Sequence, residues 1–280
     1  VSGQDRLSTT RITQVIMNRI QPRKLPAKSG TAGKKLSPSA GSPAVAAGIL
    51  SRSDAVESSF ALFTPLHYER NYAYPLIVWL HGPADSEDQL KRIMPFVSMR
   101  NYVAIAPRGT APSETASAAF HWLQSDEHIE AALQRVLDCL AAARHRFNVA
   151  PGRVFLAGHE CGGTMAWRLA MREPRHFAGV MSLGGRFPTG QAPLAQLDAA
   201  RRLSAFVACN RASRCYPTEA VCDDLRLLHS AGMSIMLREY PGVDGLLPQM
   251  LADMDRWLMD QITGGIAAVA PSTSSQPGPR

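Results

Sequence analysis

The chain has no apolar run long enough to span a bilayer. Its uninterrupted apolar stretches, residues 75–80 among them, fall far short of the ~20 residues a membrane helix needs. It has no internal repeat, no heptad pattern and no collagen-like period, which excludes solenoid, coiled-coil and fibrous architectures. Cysteine is sparse and odd in number: five, at 139, 161, 209, 215 and 222, without C-x-x-C spacing. That argues against a zinc site or a disulfide framework and for reduced thiols in a cytoplasmic protein. No signal-peptide core appears in the first 30 residues, although an Arg-rich, acid-poor, Ser/Thr-containing start loosely fits an organelle transit peptide.

Acidic residues are nearly missing from one region. Residues 1–50 carry Arg6, Arg11, Arg19, Arg23, Lys24, Lys28, Lys34 and Lys35 against Asp5 alone. The whole chain has 30 basic and 23 acidic residues, so 22 of each follow residue 50 and the net +7 belongs to the tail. The body therefore has no overall attraction for nucleic acid, and only the tail could offer one. Residues 28–48 are rich in Ser, Gly, Ala, Pro and Lys, which predicts a disordered basic tail over 1–50, with one short helix at 10–20. Residues 266–280 read as a second disordered tail.

The remainder, 45 % hydrophobic and 19 % charged over the whole chain, has the composition of a globular domain. Strand-like apolar runs fall at 59–63, 76–80, 102–106, 154–157, 180–183, 205–208 and 234–239. Helical patterns lie between them. One starts behind Ser125 as an expected cap, with Ile129, Leu133, Val136, Leu137 and Leu140 on one face. One runs through Trp167 and Leu169, and one covers 219–231 with Gly232 as its stop. The last carries Leu247, Met250, Leu251, Met254, Trp257, Leu258 and Ile262 as its inner stripe. Short buried strands alternating with helices predict an α/β fold with a mostly parallel sheet and helices on both faces. Function in such sheets gathers just past the carboxyl ends of the strands.

After the strand at 154–157 comes Gly158-His159-Glu160-Cys161-Gly162-Gly163, then a helix. Glycines flanking a central residue at a strand-to-helix turn have the spacing of a G-x-S-x-G nucleophile elbow. From residue 58 to 263 the chain resembles the phospholipase/carboxylesterase group of α/β-hydrolases, which includes acyl-protein thioesterases. The resemblance rests on Leu76-Ile77-Val78-Trp79-Leu80-His81-Gly82, on 154–167, on 209–217, and on Tyr240-Pro241-Gly242 with the helix reaching Ile262. It implies an α/β-hydrolase domain over 51–265 and ester hydrolysis by Ser, His and Asp without a cofactor.

The matched positions carry other side chains. The elbow centre is Glu160 instead of Ser. The loop after Ala208 offers Ser213, before Pro217, where the group has Asp. Asp244 stands where the group has His. No Asp lies between Cys209 and Ala220, and no histidine follows His229. The resemblance also implies an oxyanion donor from the residue after His81-Gly82. That residue is Pro83, which has no N–H. The second donor position is the Cys161 amide.

Three rescues are conceivable. Glu160 could act as a carboxylate nucleophile, as in hydrolases that open epoxides. Cys161 could serve as a thiol lowered by the helix N-terminus. Glu160, Asp244 and His159 could hold a divalent metal, although no ligand-type spacing supports it. His81 reads as structural, bonding the loop backbone. His121 and Trp122 are pocket candidates at the end of a loop, and His67 reads as surface. The expectation is an esterase-like protein without hydrolytic machinery, with neither metal nor cofactor. It would bind a small molecule or a protein in an acidic crevice suited to a cationic or hydroxylated ligand. The alternatives are a hydrolase using unrecognised chemistry and a scaffold working through the basic tail.

Overall fold

The computed structural model describes residues 60–111 and 120–267. The expectations for the tail at 1–50, including the helix at 10–20, and for 268–280 of the tail expected over 266–280 lie outside the described residues; at Ile266 and Ala267 the last helix continues where a tail was expected. Seven strands form one sheet: β1 (Phe60–Phe63), β2 (Tyr74–Leu80), β3 (Val103–Pro107), β4 (Val149–His159), β5 (Gly179–Leu183), β6 (Ser204–Asn210) and β7 (Ser234–Tyr240). Their order is β1-β3-β2-β4-β5-β6-β7. Only β1 is antiparallel to its neighbour. The architecture is that of an α/β-hydrolase.

Alternation along the strands sends side chains to two cores. Leu76, Val78 and Leu80 of β2 join a core with α2 (Asp126–Arg146), α3 (Cys161–Arg172) and α5 (Thr218–Ser230). Ile77 and Trp79 join the other core, with α1 (Gln89–Val97) and α6 (Pro248–Ala267). A four-residue helix, α4 (Leu197–Ala200), lies between β5 and β6. Full burial of Leu, Ile and Val in this way contributes roughly 1.5–3 kcal/mol per side chain. Trp79, wholly buried, satisfies its indole N–H on Gln89 Oε1 at 2.7 Å.

Three local features differ from the sequence reading. The helix α1 was not expected, because Pro95 sits inside it and interrupts the pattern. Its buried Leu90, Ile93, Met94 and Val97 nevertheless keep helical spacing. Strand β4 begins at Val149, before the expected 154, since Pro151-Gly152 breaks the apolar run without ending the strand. The pairing with β2 shifts register there, with Gly152 at φ 70°. Ser125 holds the N-cap position of α2, but its hydroxyl meets His128 Nδ1 at 2.6 Å instead of a backbone amide.

The strand order places the expected site. From β2 the chain moves outward to β3, then returns to β4 on the other side of β2. Between β2 and β4 lies the point where the order reverses, the expected position for a site.

Candidate functional site

Leu80 of β2 lies opposite Gly158 of β4, so residues 81–83 and 159–161 leave the sheet side by side. Asn210 of β6 likewise lies opposite Tyr240 of β7, and the two following loops stay joined. Arg211 N–H donates to Tyr240 O at 2.8 Å, and Ala212 N–H to Gly242 O at 3.0 Å. Glu160, Ser213 and Asp244 all follow strand ends at this one edge.

Glu160 takes φ 45° and ψ −112°, a left-handed conformation that costs a side-chain-bearing residue on the order of 1–3 kcal/mol. The strain is held by close packing of the glycines. A Cβ at Gly158 would lie 2.3 Å from Gly162 O, and one at Gly162 would lie 2.3 Å from Leu80 O. The motif thus forms a true elbow, with a carboxylate at its apex. Burial pushes the Glu160 carboxyl above its ordinary pKa, and the Asp244 charge adds to this.

Asp244 behaves oppositely. The Ser213 hydroxyl donates to Asp244 Oδ1. The Arg214 amide lies 3.1 Å from both carboxylate oxygens, and the Cys215 amide 3.3 Å from Oδ1. The Ser213 bond, supported by these amides, holds Asp244 below the usual carboxylate range. Ser213 in turn accepts from the Tyr216 amide at 2.8 Å, so the pair closes one loop on the other.

His159 is the buried group that motif reading left in the background. Only 8 % exposed, it packs its ring on Gly82, where a Cβ would sit 2.4 Å from Nδ1. Neither ring nitrogen has a hydrogen-bond partner. Burial drives its pKa down to about 4, against the opposing pull of Asp85 and Asp244. Nε2 lies 3.4 Å from Glu160 Oε1, but a neutral imidazole makes this a contact without ion-pair character. A buried histidine after an apolar strand, pointing at an elbow with no base in reach, is the signal that could have singled it out.

The loop after β2 is the place where the resemblance implies an oxyanion donor. Pro83 offers no N–H, and the Gly82 N–H donates to Gln89 Oε1 at 3.0 Å. The Cys161 amide stands in the first turn of α3, where helix amides lack intrahelical acceptors. The Cys161 thiol is raised by burial, so its expected lowering by the helix N-terminus does not prevail; the Trp122 and Gly162 amides oppose the rise.

The remaining candidates pack around this loop. His81 is wholly buried: Nδ1–H donates to Gly82 O at 2.8 Å, and Nε2 accepts from the Gly109 amide at 3.1 Å. Trp122, also buried, donates to His81 O at 3.0 Å and stacks tilted on its ring at 5.1 Å. His121 is half-buried and exchanges backbone bonds with Thr110. His67 is exposed, far along the sequence from the elbow, in a turn at φ 58°. Among the described residues no three of His, Cys, Asp and Glu gather to hold a metal ion, and no helix is long and apolar enough to cross a membrane. All five cysteines are free.

Residues 55–234 match the protein family described as "Putative esterase". Over 119 residues the chain is 32 % identical to "Putative esterase NocK" of Nocardia uniformis subsp. tsuyamanensis, covering 41 % of this chain and 34 % of that protein. Over 124 residues it is 28 % identical to an "Epoxide hydrolase" of Caballeronia sordidicola, covering 44 % and 35 %. The matches thus span about a third of the length of these two curated relatives. In fold it is similar to the carboxylesterase of Mesorhizobium loti, at TM-score 0.62 and 16 % identity over 75 % of this chain and 98 % of that one. With the elbow, the strand order and the family match over most of the domain in agreement, the chain belongs to this esterase family within the α/β-hydrolase fold.

Proposed function

We propose that this family member does not hydrolyse esters and uses the crevice around Glu160 to bind a cationic or hydroxylated small molecule. The observation that carries the reading is the bonding of Asp244. At the position where the resemblance implies the base stands a carboxylate, charged at neutral pH and engaged by the Ser213 hydroxyl and two backbone amides. It has no reason to take a proton from a nucleophile, and the elbow offers no hydroxyl to lose one. Acyl transfer needs a hydroxyl or thiol, a base in contact with it and donors for the developing oxyanion. A hydroxyl does meet an imidazole at Ser125–His128, but on the exposed first turn of α2. The acidic pair Glu160 and Asp244 suits a ligand that brings positive charge or hydroxyl donors. The test is hydrolysis of short-chain p-nitrophenyl esters and thioesters by the full chain. Rates equal to those of Glu160→Ala and of the buffer support the proposal, and turnover that disappears in Glu160→Ala overturns it.

One contact favours a second reading. His159 Nε2 lies 3.4 Å from Glu160 Oε1, and one relative is named an epoxide hydrolase. In that chemistry the Glu160 carboxylate attacks an epoxide carbon, the ring C–O bond breaks, and the alkoxide takes a proton to give a hydroxyalkyl ester. Water activated by a base then cleaves the ester to a diol and restores the carboxylate. A His159 lowered to about 4 is a weak base for that second step, so the binding reading leads. Single turnover of styrene oxide in H2-18O separates the two: label entering the Glu160 carboxyl would establish the covalent route.

A further inference from the structure

A buried charge on α3 lies outside the elbow crevice. Arg168, about two turns beyond Glu160, is 7 % exposed. Its guanidinium stays charged at any ordinary pH. Burying such a charge without an anion is costly. Yet its hydrogen bonds all run to neutral oxygens: Nε to Gln124 Oε1 at 2.6 Å, Nη1 to Gly190 O at 3.1 Å, and Nη2 to Thr189 O at 2.7 Å. Asp126 acts on it only through space. Of the five guanidinium N–H groups, these bonds engage three. One remains on each terminal nitrogen.

Beside Arg168 is a cavity of about 300 Å³, also lined by Arg172, Glu173, Gln191, Ala195 and Gln196. A second cavity, of about 650 Å³, shares Ala195 and Gln196 and is walled by Arg175, Arg202 and Asp198, the last paired with Arg201. The segment along the first cavity is strained: Gly190, Gln191 and Ala192 take φ of 73°, 50° and 42° in succession. Left-handed backbone at side-chain-bearing residues collects where ligands are held.

The geometry points to an anion site here: Arg168 receives the phosphate or carboxylate group of a small molecule whose body extends past Ala195 and Gln196 toward Arg175 and Arg202. The unpaired guanidinium gains the counter-charge it lacks, through two charge-assisted N–H bonds. A cavity of this size falls in the range that holds small ligands. The site is independent of the elbow and of any reading of its chemistry.

Thermal unfolding of the full chain tests it. Inorganic phosphate or acetate is titrated against chloride at constant ionic strength. A saturable rise in Tm of about 3–5 °C with phosphate, with acetate or with both is expected at roughly tenfold excess over Kd. A rise with phosphate alone assigns a phosphate-bearing ligand, and one with acetate alone a carboxylate. Arg168→Met should abolish the rise. Because Arg168 also ties Gln124 to the 189–190 segment, Ala195→Trp provides a second variant. It fills the exposed mouth common to both cavities and leaves the guanidinium in place. This variant should keep the Tm of the wild type in chloride and lose the rise. No rise with either anion, or a full rise retained in Ala195→Trp, overturns the proposal.

Discussion

The Ser213 hydroxyl donates to the Asp244 carboxylate across two loops that follow neighbouring strands. Where the resemblance implies an acid orienting an imidazole, a hydroxyl instead orients an acid. Asp244 is thereby fixed as an acceptor, and with Glu160 it gives the sheet edge a negative character.

Installing the three side chains that the resemblance implies should leave the protein a poor esterase. The triple variant Glu160→Ser, Ser213→Asp, Asp244→His still lacks the Pro83 amide, and Gln89 still occupies the Gly82 amide. One missing oxyanion donor lowers turnover about 10²–10³-fold. Adding Pro83→Ala to the triple variant should therefore raise kcat for p-nitrophenyl butyrate by about 100-fold, with little change in KM.

His159 makes stability depend on pH. Its folded pKa of about 4 lies below the unfolded 6.5, so between these values the unfolded chain binds the extra proton. This stabilisation is complete above pH 6.5 and is lost as pH falls toward 4. A shift of this size corresponds to about 3 kcal/mol. Glu160, raised by burial, contributes with the opposite sign just above its unfolded value, where its stabilisation is lost as pH rises. Urea unfolding from pH 7 to 4 should show stability falling for the wild type. His159→Gln should remove most of that slope.

The elbow should respond to glycine in opposite directions at positions two apart. Gly162→Ala drives a methyl into Leu80 O at 2.3 Å and His81 O at 2.4 Å, both backbone atoms. A loss of about 2–3 kcal/mol is expected in urea unfolding. Glu160→Gly relieves the φ of 45° and should gain about 1 kcal/mol.

Cys161 should be inert. Burial holds its thiol above the ordinary value, whereas Cys222 is exposed on α5. Iodoacetamide at pH 7.5 should label Cys222 and leave Cys161 unmodified by peptide mass mapping. Preferential labelling of Cys161 would reopen the thiol route.

The sheet was readable because each parallel strand is a short apolar run, and the elbow because glycine spacing reflects contacts that admit no Cβ. Helix α1 was hidden by Pro95, although its buried residues keep helical spacing. The early start of β4 was hidden by Pro151-Gly152. The side chains at 160, 213 and 244 could be read one at a time. The Ser213–Asp244 bond could not, since it joins residues 31 apart through strand register. His159 could be named as an elbow residue and a possible metal ligand, but its burial without a hydrogen-bond partner could not be read, and Arg168 was missed, because burial is a property of packing.

The central claim is that no activated hydroxyl stands at this sheet edge. Intact-mass analysis of the full chain after incubation with a fluorophosphonate, which esterifies activated serines, tests it directly. An unchanged mass is predicted. A stoichiometric adduct mapped to Ser213, or to any other serine, would contradict the account.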